Sequence, residues 1–212
     1  GHPHIVTVYE LGIVEGTYFL AMEHVEGASL AEILRDGPLP PEVVAHIGAQ
    51  TADALAHAHG RHGLVHRDMT PRNVLVDVSG YVRVVDFGIA AYEGSGDALG
   101  LGSPGYMAPE QLLGEKTGTE VDVFALGATL YYAAVGRHAF YEEDLARVRE
   151  RVLSGVCPDF GALPEPLAKL LASCFLLDRA ARPTAAALAA SLRGYVSSVH
   201  PEGVAEVLAR RV

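Results

Sequence analysis

The segment HRDMTPRN occupies residues 66–73, and the apolar run VLV follows it directly at residues 74–76. The segment is too polar for a buried element, and its proline would interrupt a helix. We therefore predict an irregular loop that leads into a β-strand. This loop carries a carboxylate, Asp68, and, five residues later, an amide, Asn73.

A third polar group, Asp86, stands at the end of a predicted β-hairpin. The hairpin consists of strands at 74–76 and 81–85, joined by a Ser-Gly turn. Because a hairpin returns its second strand beside its first, Asp86 is expected to converge with Asp68 and Asn73 at one edge. One carboxylate that faces a hydroxyl, together with an amide and a carboxylate that offer hard oxygen ligands, suits phosphoryl transfer with Mg²⁺.

The order of three short motifs resembles that of protein kinases. His-Arg-Asp at 66–68, Asp-Phe-Gly at 86–88 and Ala-Pro-Glu at 108–110 follow one another at the family's spacing. A single triplet arises by chance in many chains, whereas three in order, with the loop asparagine at the family offset, do not. The resemblance is to eukaryotic-type (Hanks-type) Ser/Thr kinases, because the loop contains Pro71 and the segment 103–107 lacks the tryptophan of tyrosine kinases.

The resemblance implies an α+β protein-kinase-like fold, mostly the α-helical large lobe (C-lobe) with residual β-strands of the small lobe (N-lobe), over residues 1 to about 196. We expect a partial N-lobe and the start of the hinge in residues 1–24, the C-lobe in 25–196, and a helical extension or linker in 197–212. Sequence patterns predict an antiparallel pair of strands at 4–10 and 17–23 and helices at 29–35, 40–59, 122–135, 142–153, 165–174 and 184–195.

The longest predicted helix, 40–59, is expected to close at Gly60 and to bury an apolar stripe formed by Val44, Ile47, Thr51 and Leu55. Three histidines lie near its end, namely His57, His59 and His62. Their offsets place the imidazoles on different faces, so we assign them to a solvated helix end rather than to a metal site.

The resemblance gives the loop residues catalytic roles. Asp68 would accept or orient the proton of the substrate hydroxyl, and Asn73 and Asp86 would hold Mg²⁺ (or Mn²⁺) against the phosphates of ATP. Thr70 stands where the family has a lysine that stabilises charge on the transferring phosphate. Losing one such contact costs about 3 kcal/mol, or roughly a hundredfold in rate, so we expect slow catalysis.

The resemblance also predicts an adenine pocket. Met22 would be the gatekeeper before the hinge, and the backbone of Glu23 and Val25 would hold the adenine edge. Leu75 would form the floor of the pocket. Recognition through the backbone makes no demand on side chains, so the hinge assignment depends on the register of the chain.

Further residues match regulatory or structural positions of the family. Arg67 would bind a phosphorylated activation segment, within residues 88–107, and Ser95 is the predicted phosphate acceptor. Ser103 begins the predicted substrate-docking stretch. Asp122 is expected to bind the backbone of the catalytic loop.

A structural ion pair is also expected in the C-lobe. Arg182 matches the family arginine that pairs with Glu110, and this pair has no catalytic role.

The composition limits the partners and the compartment. A net charge of −10 argues against a nucleic-acid surface and against contact with an anionic membrane. The apolar stretch 121–135 carries Asp122 and is too short to span a bilayer. Cys157 and Cys174 are expected to be buried free thiols in a reducing compartment, which predicts a cytoplasmic protein. The arginine-rich, lysine-poor composition and Thr70 resemble bacterial members of the family, which act in signalling.

Three functions remain open from the sequence. The first is a Ser/Thr protein kinase that uses ATP to phosphorylate a protein. Because the only lysines are Lys116 and Lys169, its glycine-rich loop, N-lobe lysine and helix glutamate are expected upstream in a longer polypeptide. The second is a pseudokinase or truncated lobe that acts as a regulatory binding module. The third is a kinase-like small-molecule phosphotransferase, which the Ala-Pro-Glu motif disfavours.

Overall fold

The computed structural model describes residues 1–87, 103–140, 142, 144–161, 163–199 and 203–212. Within these ranges the chain forms two small antiparallel sheets and a larger set of helices. Ser95, most of the predicted activation segment and the glycine of Asp-Phe-Gly lie outside the described residues.

The first sheet is a hairpin of β1 (Val8–Val14) and β2 (Thr17–Met22). The antiparallel pairing agrees with the sequence, but the predicted first strand, 4–10, begins too early. The reason is that Ile5 forms a parallel bridge to Val84, which belongs to the other sheet.

The second sheet positions the predicted catalytic loop. It contains β3 (Gly27–Ser29), β4 (Val74–Asp77) and β5 (Val82–Val84), with β4 in the middle. Antiparallel pairing aligns the first residue of β4 with the last of β5. The predicted hairpin is therefore confirmed, and the loop that precedes β4 lies beside the segment that follows β5.

The helices make up most of the remaining described chain. They are α1 (Leu30–Ile33), α2 (Pro41–His62), α3 (Pro109–Leu112), α4 (Glu120–Val135), α5 (Leu145–Leu153), α6 (Glu165–Ser173), α7 (Ala185–Ser198) and α8 (Val204–Ala209). Ser29 begins α1 with a capping box, in which its side chain and that of Glu32 each accept from the other residue's backbone N–H.

Helix α2 runs three residues beyond its predicted end at position 59. Gly60 lies inside the helix, and the helix is capped instead by Gly63, whose φ of 59° lies in the left-handed region. Glycine reaches this conformation without a steric cost, which makes it the usual residue after a helix. Gly60 and Gly63 are both possible C-terminal caps, and the sequence pattern does not show which of them ends the helix.

The core has two hydrophobic clusters that meet along α4. Val123, Leu126 and Leu130 pack into the larger cluster, together with α2 and α7. Phe124 and Tyr131, on another side of α4, belong to the second cluster. A helix that is apolar on every side is buried on every side, and α4 is such a helix at the centre of this fold. The buried stripe predicted for α2 is confirmed, since Val44, Ile47, Thr51 and Leu55 are all inaccessible to solvent.

The two cysteines differ in their environments. Burial raises the pKa of the Cys174 thiol to about 12, so this thiol stays protonated inside the core. Cys157 is exposed, and the expectation that both thiols are buried is wrong for this residue. It lies in the irregular segment after α5, which ends at Leu153. Among the described helices, none combines the length and the apolar character needed to cross a membrane.

A buried ion pair joins α3 to the segment that precedes α7. The guanidinium of Arg182 donates to both carboxylate oxygens of Glu110, at 2.7 and 2.9 Å, and the two side chains are 0% and 4% exposed. Arg182 also donates to the backbone oxygens of Leu176 and Glu120 and lies 5.2 Å from the centre of the Phe124 ring. These contacts satisfy a charge that would be costly to bury alone.

We therefore expect Glu110→Gln to destabilise the chain strongly. The substitution keeps the shape of the side chain but leaves the Arg182 charge uncompensated, which costs about 3–5 kcal/mol. Urea unfolding followed by circular dichroism would measure the loss of unfolding free energy.

The exposed pair of Lys169 with Glu165 provides the control for this test. Lys169→Ala should change the unfolding free energy by less than about 1 kcal/mol. Equal costs for the two substitutions would show that burial does not set the strength of the Glu110 pair.

Candidate functional site

The loop that precedes β4 is held by a single buried carboxylate. Asp122, in the first turn of α4, accepts the backbone N–H of His66 at 2.8 Å and that of Arg67 at 2.7 Å. Arg67 has a φ of 70°, a backbone conformation that residues other than glycine rarely adopt. Hydrogen bonds to a charged acceptor are among the stronger ones, and here they stabilise the strained bend.

His59 is a further partner of Asp122 that the sequence analysis missed. Its Nε2 lies 2.8 Å from Oδ2 of Asp122, and its side chain is only 11% exposed. The assignment of this histidine to a solvated helix end is therefore wrong. The pattern did contain a signal, because His59 follows Leu55 by four residues and so continues the buried stripe of α2.

His66 connects the loop to the segment after β5. Its Nε2 is 2.8 Å from the backbone oxygen of Val85, and its ring meets the ring of Phe87 edge-on, with 4.8 Å between the ring centres. The first residue of His-Arg-Asp thus contacts both the residue before Asp-Phe-Gly and its phenylalanine.

Two residues fix the orientation of the Asp68 carboxylate. Asn73 donates from Nδ2 to the backbone oxygen of Asp68 at 2.8 Å and to its Oδ2 at 3.3 Å. On the other side, Ser103 donates to Oδ1 from its backbone N–H at 3.1 Å and from its hydroxyl at 3.2 Å. The sequence placed Ser103 only in a docking stretch, and its contact with Asp68, across 35 residues, had no local signal.

Asp86 lies next to this pair. It directly follows Val85, whose N–H donates to the backbone oxygen of Asn73 at 3.0 Å. Its side chain is exposed and its φ is 64°, so the described chain has two non-glycine residues in the left-handed region here, Asp86 and Arg67, and one elsewhere. Strained backbone of this kind tends to occur at functional sites.

The donor set of Asn73 and Asp86 fits a magnesium ion. Mg²⁺ binds oxygen ligands, typically one or two carboxylates together with phosphate oxygens and water. An amide and an exposed carboxylate at one edge meet this requirement once phosphates complete the shell. In the described ranges, no cluster of three or more His, Cys, Asp or Glu side chains could hold a metal without such help.

The residues predicted for the adenine pocket lie at the end of β2, in the segment that follows it and in β4. Met22 ends β2, and Leu75, in β4, pairs with Ser29. The side chain of Glu23 accepts from Nη1 of Arg83 at 2.8 Å and from the N–H of Thr7 at 3.1 Å. These contacts anchor the carboxylate of Glu23 within the protein. Val25, half-buried, follows in the segment that leads to β3.

Thr70 is buried in the loop, and Arg67 is half-buried. Thr70 is 3% exposed, and its backbone oxygen accepts the N–H of Asn73 at 3.0 Å. The neighbouring Met69 is held by the hydroxyl of Thr129, which donates to its backbone oxygen at 3.0 Å. The Nε of Arg67 is buried with no hydrogen-bond partner among the described residues.

Residues 1–192 match the protein kinase domain family, so this chain belongs to the protein kinases. It is 38% identical over 162 residues to the serine/threonine-protein kinase PrkC of Bacillus subtilis, an alignment that covers 74% of this chain and 25% of that protein. It is 37% identical over 204 residues to PkaA of Streptomyces coelicolor, also a serine/threonine-protein kinase, with 91% and 37% covered.

A third relative, PknB of Mycobacterium leprae, is 36% identical over 149 residues, which cover 66% of this chain and 24% of that serine/threonine-protein kinase. The chain thus spans less than two fifths of the length of these curated relatives. The expected α+β kinase fold and the resemblance to Hanks-type kinases, mostly bacterial, are confirmed.

We expect Asp122→Asn to loosen the loop without unfolding the chain. The amide keeps one acceptor oxygen but turns an NH₂ group towards one of the two backbone N–H donors. Hydrogen exchange measured by NMR should therefore show the amides of His66 and Arg67 exchanging about ten- to a hundredfold faster, as expected for the loss of a hydrogen bond to a charged group.

Asp159→Asn is the matched control, because its carboxylate is 80% exposed and its partners among the described residues are the N–H of Gly161 and the guanidinium of Arg137. It should leave the exchange of both amides unchanged. Unchanged protection in Asp122→Asn would rule out the carboxylate as the anchor of the loop.

Proposed function

We propose that this chain is the catalytic part of a Ser/Thr protein kinase, which transfers the γ-phosphate of ATP to a serine or threonine of a protein. The observation that carries the proposal is the Asp68 carboxylate, held between Asn73 and Ser103 with Asp86 at the same edge. The names of the relatives support the choice of Ser/Thr.

The chemical step is an in-line displacement. The oxygen of the substrate hydroxyl forms a bond to the γ-phosphorus, the bond from that phosphorus to the bridging oxygen breaks, and ADP leaves. The hydroxyl proton passes towards Asp68, whose two oxygens face donors of fixed position. Positioning of this kind supplies much of the catalysis in phosphoryl transfer.

Asn73 and Asp86 would hold a divalent cation, Mg²⁺ or Mn²⁺, against the β- and γ-phosphates. Such a cation neutralises the charge of the phosphates. The adenine would lie against Leu75 and Met22 and would bond to the backbone near Glu23 and Val25. The contacts of the Glu23 carboxylate support this arrangement. They fix the position of the segment after β2 through a side chain, so the backbone carbonyl of Glu23 is left for the adenine.

The N-lobe hairpin bears on how this function should be tested. Tyr9 and Tyr18 are 68% and 72% exposed, and Ile13 in β1 is exposed as well. A two-stranded hairpin with exposed apolar side chains is marginal by itself. The curated relatives are much longer than the part that this chain matches, so the full-length protein is the material for activity assays.

The partners and the compartment follow from the same proposal. ATP and a protein substrate bind at this site, and the acidic net charge disfavours nucleic acid and anionic membranes as partners of this segment. Two free cysteines are consistent with a reducing, cytoplasmic environment. Arg67, whose buried Nε lacks a described partner, would bind a phosphate carried by Ser95.

Two substitutions separate binding from transfer in the full-length protein. Asp68→Asn should lower kcat about a hundred- to ten-thousandfold, as expected for the loss of a general base, and should keep the thermal shift given by Mg·ATP. That shift is about 5–10 °C for a domain of this size at a hundred times Kd. The Asp86→Asn variant should show no thermal shift with Mg·ATP, because it lacks the carboxylate proposed to hold the cation.

Glu115→Gln, an exposed carboxylate outside the site, serves as the control and should change neither readout. If Asp68→Asn transferred phosphate at the unaltered rate, the proposed mechanism would be wrong. If the unaltered full-length protein bound Mg·ATP but phosphorylated nothing, the chain would act as a regulatory binding module instead.

Restoring the family lysine should speed the reaction. Thr70→Lys places a cation beside the transferring phosphate, and one such contact is worth up to roughly a hundredfold in kcat. Single-turnover transfer with saturating ATP would measure the gain. Thr70→Met, of similar length and without charge, controls for packing at this buried position, and an equal rate for both variants would contradict an electrostatic effect.

A further inference from the structure

A cavity of about 510 Å³ opens beside the contact of Asp68 with Ser103. The loop residues Thr70 and Arg72 line one side of it, and Tyr106 and His138 line another. An acceptor hydroxyl at Asp68 would place the neighbouring residues of a bound peptide in this space, because consecutive residues of an extended chain advance by about 3.3 Å.

The charges that line the cavity are unbalanced. Its charged side chains are Arg72 and Glu142. Glu142 accepts from Nη1 of Arg151 at 2.8 Å, so its charge is compensated. Arg72 is exposed and forms no ion pair within the described part of the chain.

The aromatic side chains that line the cavity, Tyr106, Tyr132 and His138, add no charge at neutral pH. The ring of His138 stacks on that of Tyr132, with 4.3 Å between their centres, and its Nδ1 lies 3.2 Å from the hydroxyl of Tyr106. Burial lowers the pKa of His138 below its ordinary value, and it raises the pKa of Tyr106 far above the usual range. The ring of His138 is therefore neutral and the phenol protonated.

The backbone holds Arg72 in a fixed place. It is the middle residue of a 3₁₀ turn, Pro71–Asn73, whose other two members are buried. The turn is tied down at Asn73, which also contacts Asp68. The Arg72 side chain thus starts from a fixed backbone position four residues after Asp68, at the wall of the cavity.

The net charge of −10 does not cancel this local effect. Charges farther away than about 8 Å are largely screened at physiological ionic strength, whereas a bidentate contact of arginine with a carboxylate or a phosphate is direct. For one residue of a bound peptide, the nearby charge of Arg72 therefore matters more than the net charge of the protein, and it favours an anionic side chain.

We propose that Arg72 selects substrates that carry an anionic side chain, a carboxylate or a phosphate, within a few residues of the acceptor serine or threonine. This inference rests on the proposed kinase function and names its substrate class. Arg72 contacts the peptide rather than the reacting atoms, so it determines specificity and leaves the transfer step to the residues around Asp68.

The test uses the full-length protein and a set of peptides that differ at one residue near the acceptor. Glutamate, phosphoserine, alanine and lysine are placed in turn at each of the three positions on either side. At the selected position, kcat/KM for glutamate should exceed that for lysine about ten- to a hundredfold, mainly through KM, as expected for one hydrogen-bonded charge pair. Comparison of the phosphoserine and glutamate peptides distinguishes the two sources of negative charge.

Variants of Arg72 assign the effect to this residue. Arg72→Glu should invert the preference in favour of the lysine peptide, and Arg72→Lys should keep part of it, because lysine retains the charge and loses the bidentate geometry. Arg210→Glu changes the net charge equally at an exposed position that does not line the cavity, and it should leave the preference unchanged.

Binding of the same peptides, measured by fluorescence anisotropy, keeps this inference separate from the kinase function. A protein that bound glutamate peptides more tightly than lysine peptides and phosphorylated none would overturn the proposed function and support the role of Arg72. Equal kcat/KM and equal Kd across the peptide set, or a preference that survives Arg72→Glu, would overturn the role of Arg72. Melting temperatures of the variants establish that each is folded.

Discussion

The carboxylate of Asp122 is the constraint on which the site depends. It accepts two consecutive backbone N–H groups at a bend where Arg67 has a positive φ. Such a conformation costs a non-glycine residue about 1 kcal/mol or more, and it persists only where the surroundings over-determine it. Because Asp68 is the next residue along the chain, the direction of its side chain follows from this anchor.

The position of Asp122 depends in turn on α4. This helix lies between the two hydrophobic clusters and is buried on almost every side, so it has little freedom to shift. Asp122 and Thr129 are seven residues apart and therefore lie on the same face, two turns from each other. The first holds the loop at its beginning, and the second holds Met69 further along. One rigid face thus fastens the loop at two places.

Much of this arrangement could be predicted because it is encoded locally. The β4–β5 hairpin follows from two apolar runs and a turn, and the buried stripe of α2 follows from helical periodicity. The failures have physical causes. The first strand was placed too early because residues near Ile5 pair with a distant strand, and α2 was ended too early because two glycines offered equal stop signals.

Contacts that cross the chain were the hardest to predict. His59 was assigned to solvent, although it bonds to Asp122 across 63 residues, and the contact of Ser103 with Asp68 depends on how a later segment returns to the loop. Periodicity indicates which face of a helix or strand is buried, but it does not indicate which hydrogen-bond partner a polar side chain on that face has. The residues of the candidate site are therefore predicted from the order of their motifs, whereas the side chains that orient them become visible only in the structure.

The same loop divides its residues between two tasks. From Met69 to Asn73, all side chains but that of Arg72 are buried, and internal hydrogen bonds fix the backbone. A change at a buried position disturbs packing or a hydrogen bond, whereas a change at an exposed position with no described ion pair costs the fold little. Folding thus constrains the positions around Asp68 and Asn73 and leaves position 72 free to be set by whatever binds beside it. The described contacts therefore give the positive charge of Arg72 no part in stabilising the fold, which is why we look for its role in binding.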